Sequence, residues 1–356
     1  MQNSFIKKVI IKDDTMKNDE LIIAGQTVLP GERKLIQFPM PELYDCSPMM
    51  MPIHVIRGQE SGPVLLVTSA IHGDELNGVE IVRRLVKEKN LSQLKGTLIA
   101  IPIVNMYGFL YESRYLMDRR DLNRSFPGNL SGSIASRLAH MLLKNIAIHA
   151  THIIDLHTGS AGRCNFPQIR ANLDTHANDA FARSFEAPII LDLLEPAGSF
   201  RHAMQSSHIP FLIYEAGEAL RFDEFSIRTG VKGIMRAMCG LKMLPPLKNP
   251  PELEVFIAYS SSWIRAEHGG TIVFEKDLGD KVSQGDLIAS IANPLTGEEY
   301  PVFATRAGII IGKSNLPLAH PGKGLFHIAC HKKPKQDAER ETHLEEILSI
   351  GEEPNG

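Results

Sequence analysis

The residues best equipped for chemistry sit in "AIHGDELNG", Ala70 to Gly78, directly after the apolar run "VLLVTS". His72 and Glu75 are spaced H-x-x-E there. The run predicts a buried strand and the segment after it the entry to a helix, so both side chains arrive at one edge of a sheet. In open α/β sheets, ligands bind past the carboxyl ends of the strands. One imidazole and one carboxylate make an incomplete metal site, because a catalytic zinc takes three protein ligands and keeps a fourth position for water. His157, in "IIDLHTG", also ends an apolar strand and is the candidate third ligand. Any one of these signals alone is commonplace; their agreement at equivalent strand ends is what carries weight. Asp74 lies between two candidate ligands without needing to bind, and a turn or helix-start role suits it as well.

Two further stretches add to the set. "RRDLNRSFPG" gathers Asp121, Asn123 and Arg124 in one loop, and an arginine fork can grip a carboxylate bidentately. "FLIYEAGE" places Glu215 at the end of another apolar strand, where a carboxylate could act as general base on metal-activated water.

Taken in order, "HGDE", "DLNRSFPG", "DLHTG" and "YEAGE" resemble the succinylglutamate desuccinylase/aspartoacylase family, relatives of the zinc carboxypeptidases, over roughly residues 50 to 330. The resemblance implies a carboxypeptidase-like fold and a zinc-dependent amidohydrolase that deacylates a small N-acyl amino acid, with one Zn²⁺ per chain. It implies that His72, Glu75 and His157 are the zinc ligands and Glu215 the general base and acid. It also implies that Asn123 and Arg124 bind a substrate carboxylate and that Asp121 orients the first histidine. The family's carbonyl-polarising arginine has three candidates in "ESRYLMDRRDLNR": Arg114, Arg119 and Arg120. Arg114 is preferred because its "RY" setting matches in character, although two extra residues separate it from the Asp-Leu-Asn-Arg stretch. A more remote substrate arginine has no match in register; Arg201 is near but displaced. Two other readings compete, a peptidase trimming C-terminal residues and a zinc-binding protein without catalysis. Glu215 speaks against the second, since a pure binder has no use for an acid beside an open metal position.

These residues need a scaffold. From Ile53 onward, strand-like runs ("PIHVIRG", "TLIAIPIVN", "APIILDLL") alternate with helix-like segments such as "ELNGVEIVRRLVKEKN". That texture predicts a mixed, largely parallel α/β sheet covered by helices. "FDEFSIRTGVKGIMRAMCGLKM" reads as its last long helix, closing a catalytic domain over residues 46–244 that follows an N-terminal extension over 1–45. The prolines of "LPPLKNPPELE" predict a linker. After it, residues 252–331 carry the glycine-turn rhythm of an all-β, barrel-sandwich-like module, and residues 332–356 form a charged tail. The module resembles lipoyl or biotinyl carriers in rhythm, but "ANPLTGEEYP" offers no lysine to modify, so it reads as a lid. Trp263 and Arg265 are its candidates to face the pocket.

Composition narrows the field. The chain has 356 residues and a net charge of −3, with no long basic block, so nucleic acid is not an expected partner. No apolar stretch of about 18 residues predicts a membrane span. The first residues show no signal-peptide pattern, and a cytoplasmic protein is expected. Four scattered cysteines without a CxxC read as reduced thiols. The expected partner is a small N-acyl substrate bearing a carboxylate; a homo-oligomer is compatible with the sequence.

Overall fold

The structure, a computed structural model, describes residues 20–194, 196–246 and 254–331. The expected charged tail, most of the linker and the first part of the N-terminal extension lie outside the described residues.

The apolar runs become strands. β1 (Leu21–Ile23) and β2 (Gln26–Val28) form a small hairpin. β3 (Arg33–Pro39), β4 (Met50–Arg57), β5 (Glu60–Ser69), β6 (Lys95–Ile101), β7 (His152–Gly159), β8 (Arg163–Ala171), β9 (Ile189–Asp192) and β10 (Phe211–Glu218) belong to one large sheet. Helices α1 (Asn77–Leu85), α2 (Met106–Leu110), α3 (Ile134–Asn145), α4 (His176–Phe185), α5 (Phe200–Gln205) and α6 (Glu224–Gly240) connect them. The C-terminal region adds β11 (Phe256–Ala258), β12 (Ser260–Arg265), β13 (Gly270–Phe274), β14 (Lys281–Val282), β15 (Leu287–Ala292), β16 (Glu299–Phe303), β17 (Gly308–Ser314), β18 (Leu318–Ala319) and β19 (Gly324–Cys330).

The main sheet runs β12-β19-β17-β8-β10-β7-β5-β6-β4-β3. Its centre, β10-β7-β5-β6, is parallel; the strands beyond β6 pair antiparallel, and β8 is antiparallel to β10 and β17 but parallel to β9. The mixed α/β sheet with a β-rich C-terminal region matches the expectation. Side chains alternate across the strands, so neighbouring residues serve opposite cores. Leu65 and Val67 pack with α1, α4 and α6 on one face, and Leu66 packs with α3 and α5 on the other. The amino ends of the helices are capped as their residue types suggest. Ser133, Thr175, Ser199 and Asp223 each accept a backbone N–H from the first turn of α3, α4, α5 and α6. Helix α1 has no side-chain cap. Gly78 lets it approach the sheet, since a Cβ there would lie 2.8 Å from Leu156.

The β-rich region does not stand apart from the sheet. β17 pairs with β8 through Gly312↔Asn165 and Lys313↔Cys164, and β11 pairs with β9. β13, β15, β16 and β18 form a second sheet. Between the two lie Ile264, Ile288, Ile310, Phe326 and Ile328, a core of its own. Among the described residues, no helix is long and apolar enough to cross a membrane, and the four cysteines are free.

Candidate metal centre

β5 ends at Ser69 and α1 begins at Asn77; the seven residues between carry His72 and Glu75 to the end of the parallel strands. Neighbouring β7 brings His157 to the same place. Both carboxylate oxygens of Glu75 are engaged: Oε1 lies 2.6 Å from His72 Nδ1 and Oε2 lies 2.9 Å from His157 Nδ1. The Thr158 N–H donates to Oε2 at 3.0 Å. All three side chains are buried, and their ligand atoms lie within 4.8 Å of one another.

Each imidazole has an aspartate behind it. His157 Nε2 is 2.8 Å from Asp155, which also accepts from the Thr68 hydroxyl at 2.7 Å. His72 Nε2 is 3.4 Å from Asp121 Oδ1 and makes no hydrogen bond. An aspartate on the far nitrogen is the arrangement that orients metal-ligating histidines. With two imidazoles and one carboxylate buried together and their ligand atoms within 4.8 Å of one another, the residues fit a transition-metal ion such as zinc.

Burial would lower the basicity of His157, but the carboxylates of Asp155 and Glu75 outweigh it and raise its pKa well above the ordinary value. Burial works the other way on Glu75, yet His72 and His157 hold its pKa far below the carboxylate range. Asp121 is likewise held far down by His72 and Arg114 against its burial. Asp74 moves up to about 6, through burial and the neighbouring Glu75. It does not cap α1, whose N-cap residue is Leu76, but its carbonyl accepts the Leu220 N–H at 2.8 Å and ties this loop to the end of β10.

The other expected residues gather around one cavity of about 150 Å³. Arg114, Asn123, Arg124, Arg201 and Glu215 line it together with the His–Glu–His cluster. Arg114 forks onto Asp121 at 2.8 and 3.1 Å and reaches 3.2 Å from His72 Nδ1. Arg119 and Arg120 are not among the lining residues, and Arg120 turns to Asp118 at 3.7 Å. Asn123 Oδ1 accepts the Phe200 N–H at 2.9 Å, and Arg124 donates to the Asn123 carbonyl at 3.0 Å. Arg201 donates to the Leu194 carbonyl at 2.8 Å. From the β-rich region Trp263 lines the cavity, stacked on His327 at 4.9 Å with the Arg163 guanidinium 5.5 Å from its ring. Arg265 points elsewhere: it is exposed and donates to the Gly322 carbonyl at 2.9 Å.

Four contributors escaped the sequence reading: Asp155, Asn165, Arg170 and His327. Asp155 carried a signal, because D-x-H on a strand places both side chains on one face. The others come from β8 and β19 and meet the site only through sheet pairing. Glu215 shows why they matter: Asn165 Nδ2 donates to its Oε2 at 2.8 Å, and Arg170 pairs with its Oε1 at 3.1 Å.

Fold and site together define a mixed α/β protein with a buried His–Glu–His cluster at the carboxyl ends of its parallel strands. Residues 61–241 match the succinylglutamate desuccinylase/aspartoacylase catalytic domain, and the chain belongs to that family, as its four ordered motifs imply. Over 278 residues it is 26% identical to the N-alpha-acetyl-L-2,4-diaminobutyric acid deacetylase of Halomonas elongata, covering 74% of this chain and 81% of that one. The product-bound ectoine utilization protein EutE (DoeB) of Ruegeria pomeroyi superposes with a TM-score of 0.73 at 25% identity, over 88% of this chain and 100% of that one. A succinylglutamate desuccinylase/aspartoacylase from Rhodobacter sphaeroides shares the fold, with a TM-score of 0.75 at 21% identity over 85% of this chain and 96% of that one.

Proposed function

We propose that this protein is a zinc-dependent amidohydrolase that removes the acyl group from a small N-acyl amino acid. One observation carries the reading: a buried metal-type donor set, a carboxylate outside that set and several arginines all face a single small cavity. The relatives' names, a deacetylase of an N-acetylated amino acid and the desuccinylase/aspartoacylase family, support the reaction class.

His72, Glu75 and His157 would hold the ion. When bound, zinc would supply Lewis-acid polarisation of water and carbonyl. Glu215 removes the proton from the attacking water and returns it to the leaving amine. Arg114, beside His72 and Glu75, meets the negative charge that develops on the carbonyl oxygen. Asn123 and Arg124 hold a substrate carboxylate; with Asn123 Oδ1 committed to Phe200, its amide NH₂ group faces that task. Asp121 and Asp155 fix the two imidazoles. The wall of Trp263 and His327 suits a small substrate better than a peptide.

The test is turnover on a panel of N-acyl amino acids, with and without chelator. Glu215→Gln keeps the shape and removes the base, so it is expected to retain the metal and lose about 10²- to 10⁴-fold in kcat. Chelator-resistant turnover, or near-normal activity in Glu215→Gln, would refute the mechanism.

A further inference from the structure

We propose that Arg170 and Asn165 are positioning residues for Glu215: strand β8 grips both oxygens of that carboxylate and fixes its direction in the cleft. The proposal rests on the reading of Glu215 as the base. A glutamate side chain has several rotamers open to it, and a base works only from within hydrogen-bond reach of the proton it takes. One contact would leave the carboxylate free to swivel. Here Arg170 lies 3.1 Å from Oε1 and Asn165 donates to Oε2 at 2.8 Å, so two contacts on two different oxygens set the carboxylate plane as well as its place. An ionised carboxylate offers about four acceptor sites, which leaves room for the proton of a water.

The grip is itself held from behind. Asn165 is the register partner of Gly217 on β10 and of Gly312 on β17, so it lies between the strand that carries the base and a strand of the β-rich region. Gln168, further along β8, donates to the Ile311 carbonyl of β17 at 3.2 Å. A Cβ at Gly312 would stand 3.2 Å from Asn165 Oδ1, so the glycine keeps this contact open. The β-rich region therefore does more than wall the cavity: it backs the strand that aims the base. Neither Arg170 nor Asn165 belongs to the His–Glu–His cluster, so their removal leaves the metal donors in place.

The experiment compares wild type, Arg170→Gln, Arg170→Lys, Asn165→Ala and Glu215→Gln. It uses steady-state kinetics on an N-acetyl amino acid that the wild type turns over, with metal content measured on every preparation. Arg170→Gln and Asn165→Ala are expected to lower kcat about 10- to 100-fold while KM stays within about threefold and the metal content is unchanged. Arg170→Lys, which keeps the charge, is expected to recover most of the loss. A KM that rises while kcat holds would make Arg170 a substrate-binding group and overturn the proposal. Wild-type kcat in both Arg170→Gln and Asn165→Ala would overturn it too. If Arg170→Gln fails to fold, Asn165→Ala and Arg170→Lys carry the same test. Glu215→Gln separates the two readings. Full activity there shows that the base lies elsewhere; loss there with wild-type kinetics in Arg170→Gln and Asn165→Ala removes the grip alone.

Discussion

The His–Glu–His cluster and the surroundings of Glu215 share one cavity but are built in different ways. The cluster stands on the ends of adjacent parallel strands, and each histidine has its own aspartate behind it. Glu215 is held sideways, by polar residues of an antiparallel neighbour. The first construction fixes where an ion can sit; the second fixes which way a carboxylate points. Substitutions should therefore separate into those that lose metal and those that keep it.

The largest effect is expected in the cluster. His157→Ala should abolish stoichiometric metal and cost about 10³-fold or more in turnover, since metal catalysis supplies several kcal/mol. Elemental analysis of the purified variant is the check, and normal metal content in both His72→Ala and His157→Ala would dissolve the distinction between the two regions.

A smaller effect is expected one step back. Asp155→Asn preserves the shape but weakens the support of His157 and should lower metal affinity about 10- to 100-fold. Competition with a chelator measures it. The same substitution should leave the contacts of Glu215 untouched, so a kcat loss at saturating metal would show that the two regions are coupled.

The smallest effect is a pH dependence. The pKa of His157 is raised in the folded, metal-free protein, so its imidazolium stabilises the fold fully below the unfolded value and progressively less as pH climbs through the folded one. Metal must displace that proton. Affinity should thus rise with pH, by up to about tenfold per unit for one proton released, and level off above the folded pKa. Calorimetry in two buffers of different ionisation enthalpy counts the proton; none released near pH 7 would contradict the raised pKa.

The contrast also explains what the sequence disclosed. The cluster was legible because an apolar run followed by H-x-x-E, or ending in His157, marks a strand end with polar cargo. Glu215 was legible for the same reason. Strand β8, "RCNFPQIRA", was not. Pro167 interrupts it, and Asn165, Gln168 and Arg170 face partners on β10 and β17 instead of an apolar core, so it has no run to recognise. The joining of β17 to β8 was equally hidden, because it pairs segments far apart in the chain. Local pattern revealed a β-rich segment after the prolines; only the paired register shows that it completes the main sheet. Trp263 and Arg265 sit two residues apart with similar claims on the pocket, but the pairing with β19 slips between them: Trp263 lies opposite His327, Arg265 opposite Gly324, and the Arg265 guanidinium turns to the Gly322 carbonyl.

That continuity has a consequence for how the protein is made. A ribosome emits β5, β7, β8 and β10 long before β17, so the amino-terminal half of β8 waits with one edge unpaired. An open edge of that kind invites pairing with another chain. That edge of β8 is covered only when Gly308–Ser314 arrives, and the cavity wall is complete only when β19 brings His327. Until then the nascent chain carries its His–Glu–His cluster beside an exposed strand. A message cut short before Ser314 would leave that strand permanently uncovered, yielding a product prone to aggregate rather than a smaller working enzyme.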